Sequence, residues 1–215
     1  MSQVQNITSP MSPAERRATL SLSSIYALRM LGLFMILPVL SLFAETLEDA
    51  TPLLIGLAIS IYGLTQALLQ IPFGLLSDKF GRKKIIIIGL ILFATGSVVA
   101  ALSTTIYGIL IGRALQGSGA IAAAIMALVA DLTTEVHRTK AMAMIGASIG
   151  ISFGVAVSLG PIIAGFAGIS GIFWLTAILS CLAILVVLYV VPNPTESKVH
   201  RDAEVIPNQF SKVLK

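Results

Sequence analysis

A chain of 215 residues that is 56% hydrophobic and 11% charged, with a mean hydropathy of +0.96, has too few ionic groups to cover a water-solvated domain, where about 25% is usual. The composition excludes an ordinary soluble fold and favours one bundle whose outer surface meets lipid. Neither does the net charge of +4 point to nucleic acid, because the basic residues flank apolar runs and form no stripe interleaved with aromatics.

Residues 1–21 are mostly polar and read as a cytoplasmic segment, not a secretory leader. The apolar stretch behind them is longer than a signal's apolar core, and no cleavage-like site follows. A helix needs about 20 apolar residues to cross the hydrocarbon layer. Six segments meet that length, at 22–43, 53–75, 85–103, 107–130, 141–166 and 168–191. In lipid the backbone is satisfied by internally bonded helices or closed barrels, and apolar runs of this length suit helices, so the expected fold class is an all-α membrane protein, a six-transmembrane-helix bundle over 22–191.

The first span holds Arg29 and, near its outer end, Pro38. A charge inside the membrane costs about 3 kcal/mol on insertion scales and usually faces a cavity or a partner; Arg29 does that or snorkels to the headgroups. The second span carries Tyr62, Gln66 and Gln70 about a turn apart on one face. Polar groups at this depth either border a substrate path, as expected for Tyr62 and Gln66, or bond to another helix.

Between the second and third spans the chain reads Gly74-Leu-Leu-Ser-Asp78-Lys-Phe-Gly81-Arg82-Lys83-Lys84. A turn this tight calls for the backbone freedom of glycine. One acid, Asp78, stands among four bases. The fourth span brings a second buried base, Arg113, with Gln116 one turn on and Asp131 directly after the span. Arg113 reads as cavity-facing and linked to proton movement, or as a hydrogen-bond hub. Arg29 and Arg113 fall at similar depths in spans of opposite direction, as a 3+3 inverted repeat would place them.

In the fifth span, Gly146, Gly150, Gly154 and Ser158 form a stripe of small residues suited to close helix packing. Gly160-Pro161 should kink the same span, as Pro38 should kink the first. After Pro192-Asn193-Pro194, residues 192–215 form a polar tail that reads as the start of a linker to a second half missing from this chain.

Twelve of the fourteen basic residues lie on one side of these spans. They are Arg16 and Arg17, the four bases of the first inner loop, Arg138 and Lys140, and Lys198, Arg201, Lys212 and Lys215, while the opposite loops contain no Lys or Arg. By the positive-inside bias both termini are cytoplasmic.

The loop string resembles the signature G-x-L-x-D-R-x-G-R-K/R of the major facilitator superfamily, at Gly74, Leu76, Asp78, Gly81, Arg82 and Lys83, with Lys79 in place of arginine. Arg113-x-x-Gln116-Gly117-Ser118-Gly119-Ala120 is similar to that family's fourth-helix motif. Gly160-Pro161-Ile-Ile-Ala164-Gly165 is similar to its fifth-helix antiporter motif, with alanine at 156 and 164 where glycine is usual. Within the family the resemblance is nearest to the bacterial YajR-type drug:proton antiporters. It implies an N-terminal six-helix half in which Asp78, Arg82 and Asp131, supported by Gly74, Gly81 and Lys83, latch the outward-facing state. It also implies a bacterial inner-membrane location.

The function so expected is secondary active transport, proton-driven efflux of small amphipathic compounds by alternating access. A non-transporting membrane module, or an importer of a metabolite, is the alternative. No cofactor is expected, the proton gradient serving as energy source: Gly117-Ser118-Gly119 lacks the lysine of a phosphate-binding loop. His137 and His200 stand isolated in polar segments, where a metal site needs several ligands together. The expected partners are membrane lipid, a small-molecule substrate, and either the missing C-terminal half or a second copy.

Overall fold

The computed structural model describes residues 10–43 and 47–193. The helices are α1 (Pro13–Phe43), α2 (Pro52–Phe80), α3 (Arg82–Ala101), α4 (Ile106–Ser118), α5 (Ala122–Leu132) and α6 (Glu135–Tyr189). Most of the tail expected at 192–215, with its four bases and His200, lies outside the described residues, as do residues 1–9 of the polar N-terminal segment.

Local chemistry sets these boundaries. Ser12 and Glu15 form a reciprocal capping box on α1, the Ser12 N–H donating to Glu15 Oε2 at 2.9 Å and the Glu15 N–H to Ser12 Oγ at 3.2 Å. Thr51 caps α2 by accepting from the Leu54 N–H at 3.3 Å, with Pro52 at the first helical position. Gly81 separates α2 from α3 with φ of 98°, a conformation that glycine alone adopts without strain.

Five helical stretches are long and apolar enough to cross a membrane: Pro13–Leu40, Pro52–Phe80, Arg82–Ala101, Ile106–Leu132 and Glu135–Tyr189. Two of them differ from the sequence expectation. The fourth span is not continuous, since α4 stops at Ser118 and α5 begins at Ala122. The fifth and sixth merge into α6, whose 55 residues would measure about 80 Å if straight.

It is not straight. Gly168 has φ 65° and ψ −170°, in a region reserved for glycine. Before it, Ser152 donates to the Ala27 carbonyl at 3.1 Å, and Gly160 lies against the Met35 backbone. After it, Thr176 donates to the Gly32 carbonyl at 3.3 Å and Arg17 to the Val190 carbonyl at 3.0 Å. Residue numbers thus rise together on one side of Gly168 and oppositely on the other, so the two halves of α6 run antiparallel along α1. The break in helical dihedrals falls at Gly168, at the boundary expected between the spans 141–166 and 168–191, while Pro161 and Pro38 sit inside α6 and α1.

α1 packs chiefly on α6, α3 on α4 and α6, and α2 on α4. Small residues permit the closest approaches: a Cβ added at Gly96 would stand 2.6 Å from the Gly112 carbonyl oxygen. The expected packing stripe on α6 is corrected. Gly146, Gly150 and Gly154 meet nothing within 4 Å, and the face against α1 is instead Ser152, Ala156, Gly160 and Ala164, all buried. Much apolar surface remains open, on α2 (Leu53, Leu64, Leu68 and Ile71) and on the first half of α6 (Ile151, Phe153, Ile162 and Phe166).

Candidate functional site: an arginine core and a charged loop

Two groups of polar residues stand out, one inside the bundle and one at its basic end. Inside, Arg29 of α1 and Arg113 of α4 are 0% and 1% exposed. Neither has a carboxylate partner among the described residues, so carbonyls, amides and aromatic faces must compensate the charges. Arg29 Nη2 donates to the Gly119 carbonyl at 2.8 Å and to Gln66 Oε1 at 3.4 Å. Its Cζ stands 5.2 Å from the centre of the Phe93 ring. The Gly119 carbonyl lies in the break between α4 and α5, where it also accepts from the Ile121 N–H at 2.9 Å; the guanidinium supplies a second donor and a favourable charge at a helix C-terminus.

Arg113 is held in the same manner. Its Nε donates to the Ala58 carbonyl at 3.2 Å and its Nη1 to Gln116 Oε1 at 3.0 Å. Gln116 Nε2 in turn donates to Ser97 Oγ at 2.7 Å. The Arg113 Cζ lies 4.7 Å from the centre of the Tyr62 ring, close enough for a cation–π contact, and Tyr62 meets Phe93 edge to face. The two arginines are therefore joined through two touching aromatic rings.

This placement bears on three expectations. Arg29 does not snorkel, because its guanidinium is enclosed and bonded to α4–α5. Arg113 and Gln116, each 1% exposed, bond to one another and to Ala58 and Ser97. Tyr62, expected along a substrate path, is buried beneath Arg113, while Gln66 is half-buried and reaches Arg29. Arg29 Nε and Nη1, Arg113 Nη2 and the Tyr62 hydroxyl have no hydrogen-bond partner among the described residues.

At the basic end, Arg82 is the centre. It forms a salt bridge with Asp78 one turn earlier. Its Nε lies 3.2 Å from Asp131 Oδ2 and its Nη1 2.9 Å from Ser77 Oγ. One guanidinium so ties the ends of α2, α3 and α5. Gly81 supplies the turn that aims it, and Gly74 faces α5, where an added Cβ would stand in ordinary van der Waals contact, 3.5 Å from Ala123 Cβ. Lys83 is turned elsewhere: its Nζ donates to the Val191 carbonyl at 2.8 Å and to Asn193 Oδ1 at 2.9 Å. It fastens the end of α6, as does Arg17.

The isolated reading of His137 is also corrected. Its Nδ1 lies 3.2 Å from Glu15 Oε2. Glu15 further accepts from the N–H and hydroxyl of Thr134, both at 2.8 Å. This carboxylate thus caps the N-termini of α1 and α6 together, in the position that the positive end of a helix favours. A capping-box pattern at Ser12-x-x-Glu15 was the available signal in the sequence.

Comparison with known proteins agrees with this architecture. The profile of the Major Facilitator Superfamily matches residues 22–215. The chain is 56% identical to the inner membrane transport protein YajR of Escherichia coli strain K12, over 95% of this chain and 45% of that one. It is 32% identical to the class B tetracycline resistance protein of Escherichia coli, over 70% of this chain and 37% of that one. Among solved structures, the human organic anion transporter MFSD10 superposes with a TM-score of 0.71 at 21% identity, over 85% of this chain and 49% of that one, a likeness of fold alone. The chain spans about half the length of the curated relatives it matches.

Proposed function

The chain belongs to the Major Facilitator Superfamily and is an integral membrane protein; from that premise we propose that it is one half of a secondary active transporter. Its six crossings, with the turn at Gly168 separating the last two, form a 3+3 inverted repeat in the inner membrane with both termini in the cytoplasm. The activity is proton-driven efflux of small amphipathic compounds by alternating access.

The observation that carries this reading is the ion-paired loop. Arg82 holds Asp78 and Asp131 from different helices, so neutralising either acid frees a joint between α2, α3 and α5 without unfolding any of them. That is a means for a proton to bias one packing of helices over another. The name of YajR, an inner membrane transport protein, supports transport, and that of the tetracycline resistance relative supports a small drug-like compound. The open apolar faces of α2 and the first half of α6, with the exposed glycines of the latter, fit a second six-helix body against which this one rocks.

The test is pH-gradient-driven movement of a fluorescent amphiphilic cation in everted vesicles. The chain is expressed alone and together with the C-terminal half of its full-length relative. Movement only when both are present supports the reading. Transport by the chain alone, as a dimer, replaces the missing half with a second copy. Absence of gradient-driven movement in both arms, with both proteins inserted, overturns it.

A further inference from the structure

The basic end carries a second feature that the latch does not use. Between the start of α1 and the end of α6 lies a groove of about 590 Å³, bordered by Arg16, Arg17, Leu20, Ser24, Val186 and Val190. Its polar inventory is one-sided. Ser24 Oγ gives its proton to the Leu20 carbonyl at 2.7 Å, and the neighbouring Ser21 Oγ gives its own to Ala18 at 3.0 Å. The donors left for a ligand are therefore guanidinium groups. Arg17 is pinned by the carbonyls of Val190 and Tyr189, at 3.0 and 3.4 Å through Nε and Nη2, which keeps its charge at the groove with Nη1 unused. Arg16 is exposed, and its side chain makes no hydrogen bond or ion pair among the described residues.

Away from the arginines the surface becomes wholly apolar. Leu20 is 46% exposed, and the outward face of α6 continues with Leu182, Ile178 and Trp174, each more than 40% exposed. These three lie four residues apart and so form one line along the helix. Cationic groups at one end and an apolar track leading from them match a molecule with a negative head and a hydrocarbon tail. The basic end of a membrane protein faces the leaflet where such heads are found.

We propose that this groove is a binding site for an anionic phospholipid, the phosphate held by Arg16 and Arg17 and one acyl chain lying along Leu20, Val186 and the 174–182 face of α6. A lipid there would clamp α1 to the second half of α6.

The experiment is native mass spectrometry of the detergent-purified chain titrated with phosphatidylglycerol, phosphatidylcholine or glycerol 3-phosphate. Phosphatidylglycerol should bind more tightly than phosphatidylcholine. Arg16→Ala should weaken it about five-fold, as one base near the surface contributes, and Arg16→Lys should restore most of the loss. Because the Arg16 side chain makes no hydrogen bond or ion pair among the described residues, this substitution tests the ligand and not the folding. A photoreactive benzoylphenylalanine in place of Leu20 should capture lipid. Equal binding of the two lipids, or an Arg16→Ala chain that binds phosphatidylglycerol like the parent, overturns the proposal. So does glycerol 3-phosphate competing as well as the lipid, which would make the site a phosphate site. Cross-linking of position 20 to residues 194–215, or to a second copy, overturns it in favour of a protein occupant.

Discussion

Arg82 Nε lies 3.2 Å from Asp131 Oδ2 across 49 residues of sequence, which makes this ion pair the charged tie between α3 and α5. Its surroundings limit its strength. The Arg82 side chain is 22% exposed and that of Asp131 43%, so water screens the attraction, and pairs of this kind contribute about 0–1 kcal/mol. Such a tie is well suited to being broken in a cycle and poorly suited to holding a fold.

A double-mutant cycle decides between these roles. Arg82→Ala, Asp131→Ala and the double variant should each leave the apparent melting temperature of the detergent-purified chain within a few degrees of the parent, with a coupling below about 1 kcal/mol. In the two-half transporter proposed above, the same substitutions should cut transport many-fold. A coupling of several kcal/mol would show that the pair holds the fold and would remove the case for a releasable latch.

The turn at Gly168 is a backbone requirement, separable from packing. Nothing lies within 4 Å of a Cβ added at Gly168, so a methyl group meets no neighbour there. The cost is conformational, since φ 65° with ψ −170° is closed to side-chain-bearing residues and costs about 1–3 kcal/mol. Gly168→Ala should therefore lower thermal stability, while Gly165→Ala, also with open space but without a positive φ, should be neutral or slightly stabilising. Equal behaviour of the two variants in a thermal-shift assay would count against the turn.

Glycines on α3 and α6 separate the two sides of a helix in the same way. Gly96→Ala drives a methyl group to 2.6 Å from the Gly112 carbonyl oxygen and the Gln116 nitrogen, both backbone atoms that cannot swing away. Overpacking of this kind costs about 1–3 kcal/mol. Gly150→Ala meets nothing and should leave the stability of this chain unchanged. If the glycine stripe is the face presented to a second half, Gly150→Ala should lower activity only in the assembled transporter. A stability loss at Gly150 in the chain alone would mean that this face is already packed.

The residues explain what was legible beforehand. The loop from Gly74 to Lys84 could be read because its parts are local: the glycine at the turn and the acid and base one turn apart lie within eleven residues. The target of Lys83 could not be, since Val191 is 108 residues away and any exposed carbonyl would satisfy an ammonium group. On α6 the small residues form two stripes, 146-150-154-158 and 152-156-160-164, both flanked by apolar neighbours. In a soluble helix polarity would reveal the outer one. In a membrane helix the outside is apolar too, and hydropathy cannot choose. Arg29 and Arg113 were visible as costly charges, but their enclosure by Gln66, Gly119, Tyr62 and Phe93 depends on tertiary contacts that spacing does not encode.

The arginine core leads to a prediction of opposite sign for folding and for function. Arg113 is 1% exposed and is neutralised by a carbonyl, an amide and a ring, with no carboxylate among the described residues. Desolvating a full charge costs several kcal/mol, and replacing buried ions with apolar groups of similar volume is often neutral or stabilising. Methionine has nearly the length of arginine and adapts to irregular space. Arg113→Met should therefore give a chain at least as resistant to heat as the parent, even though it strands the Gln116 amide oxygen, whose loss of a partner offsets about 1–3 kcal/mol of the gain. In the two-half transporter proposed above, the same variant should lose pH-gradient-driven transport, because a fold keeps a destabilising charge where activity needs it. Arg113→Met that melts far below the parent would identify the arginine as a structural hub. Retained gradient-driven transport would remove it from proton coupling.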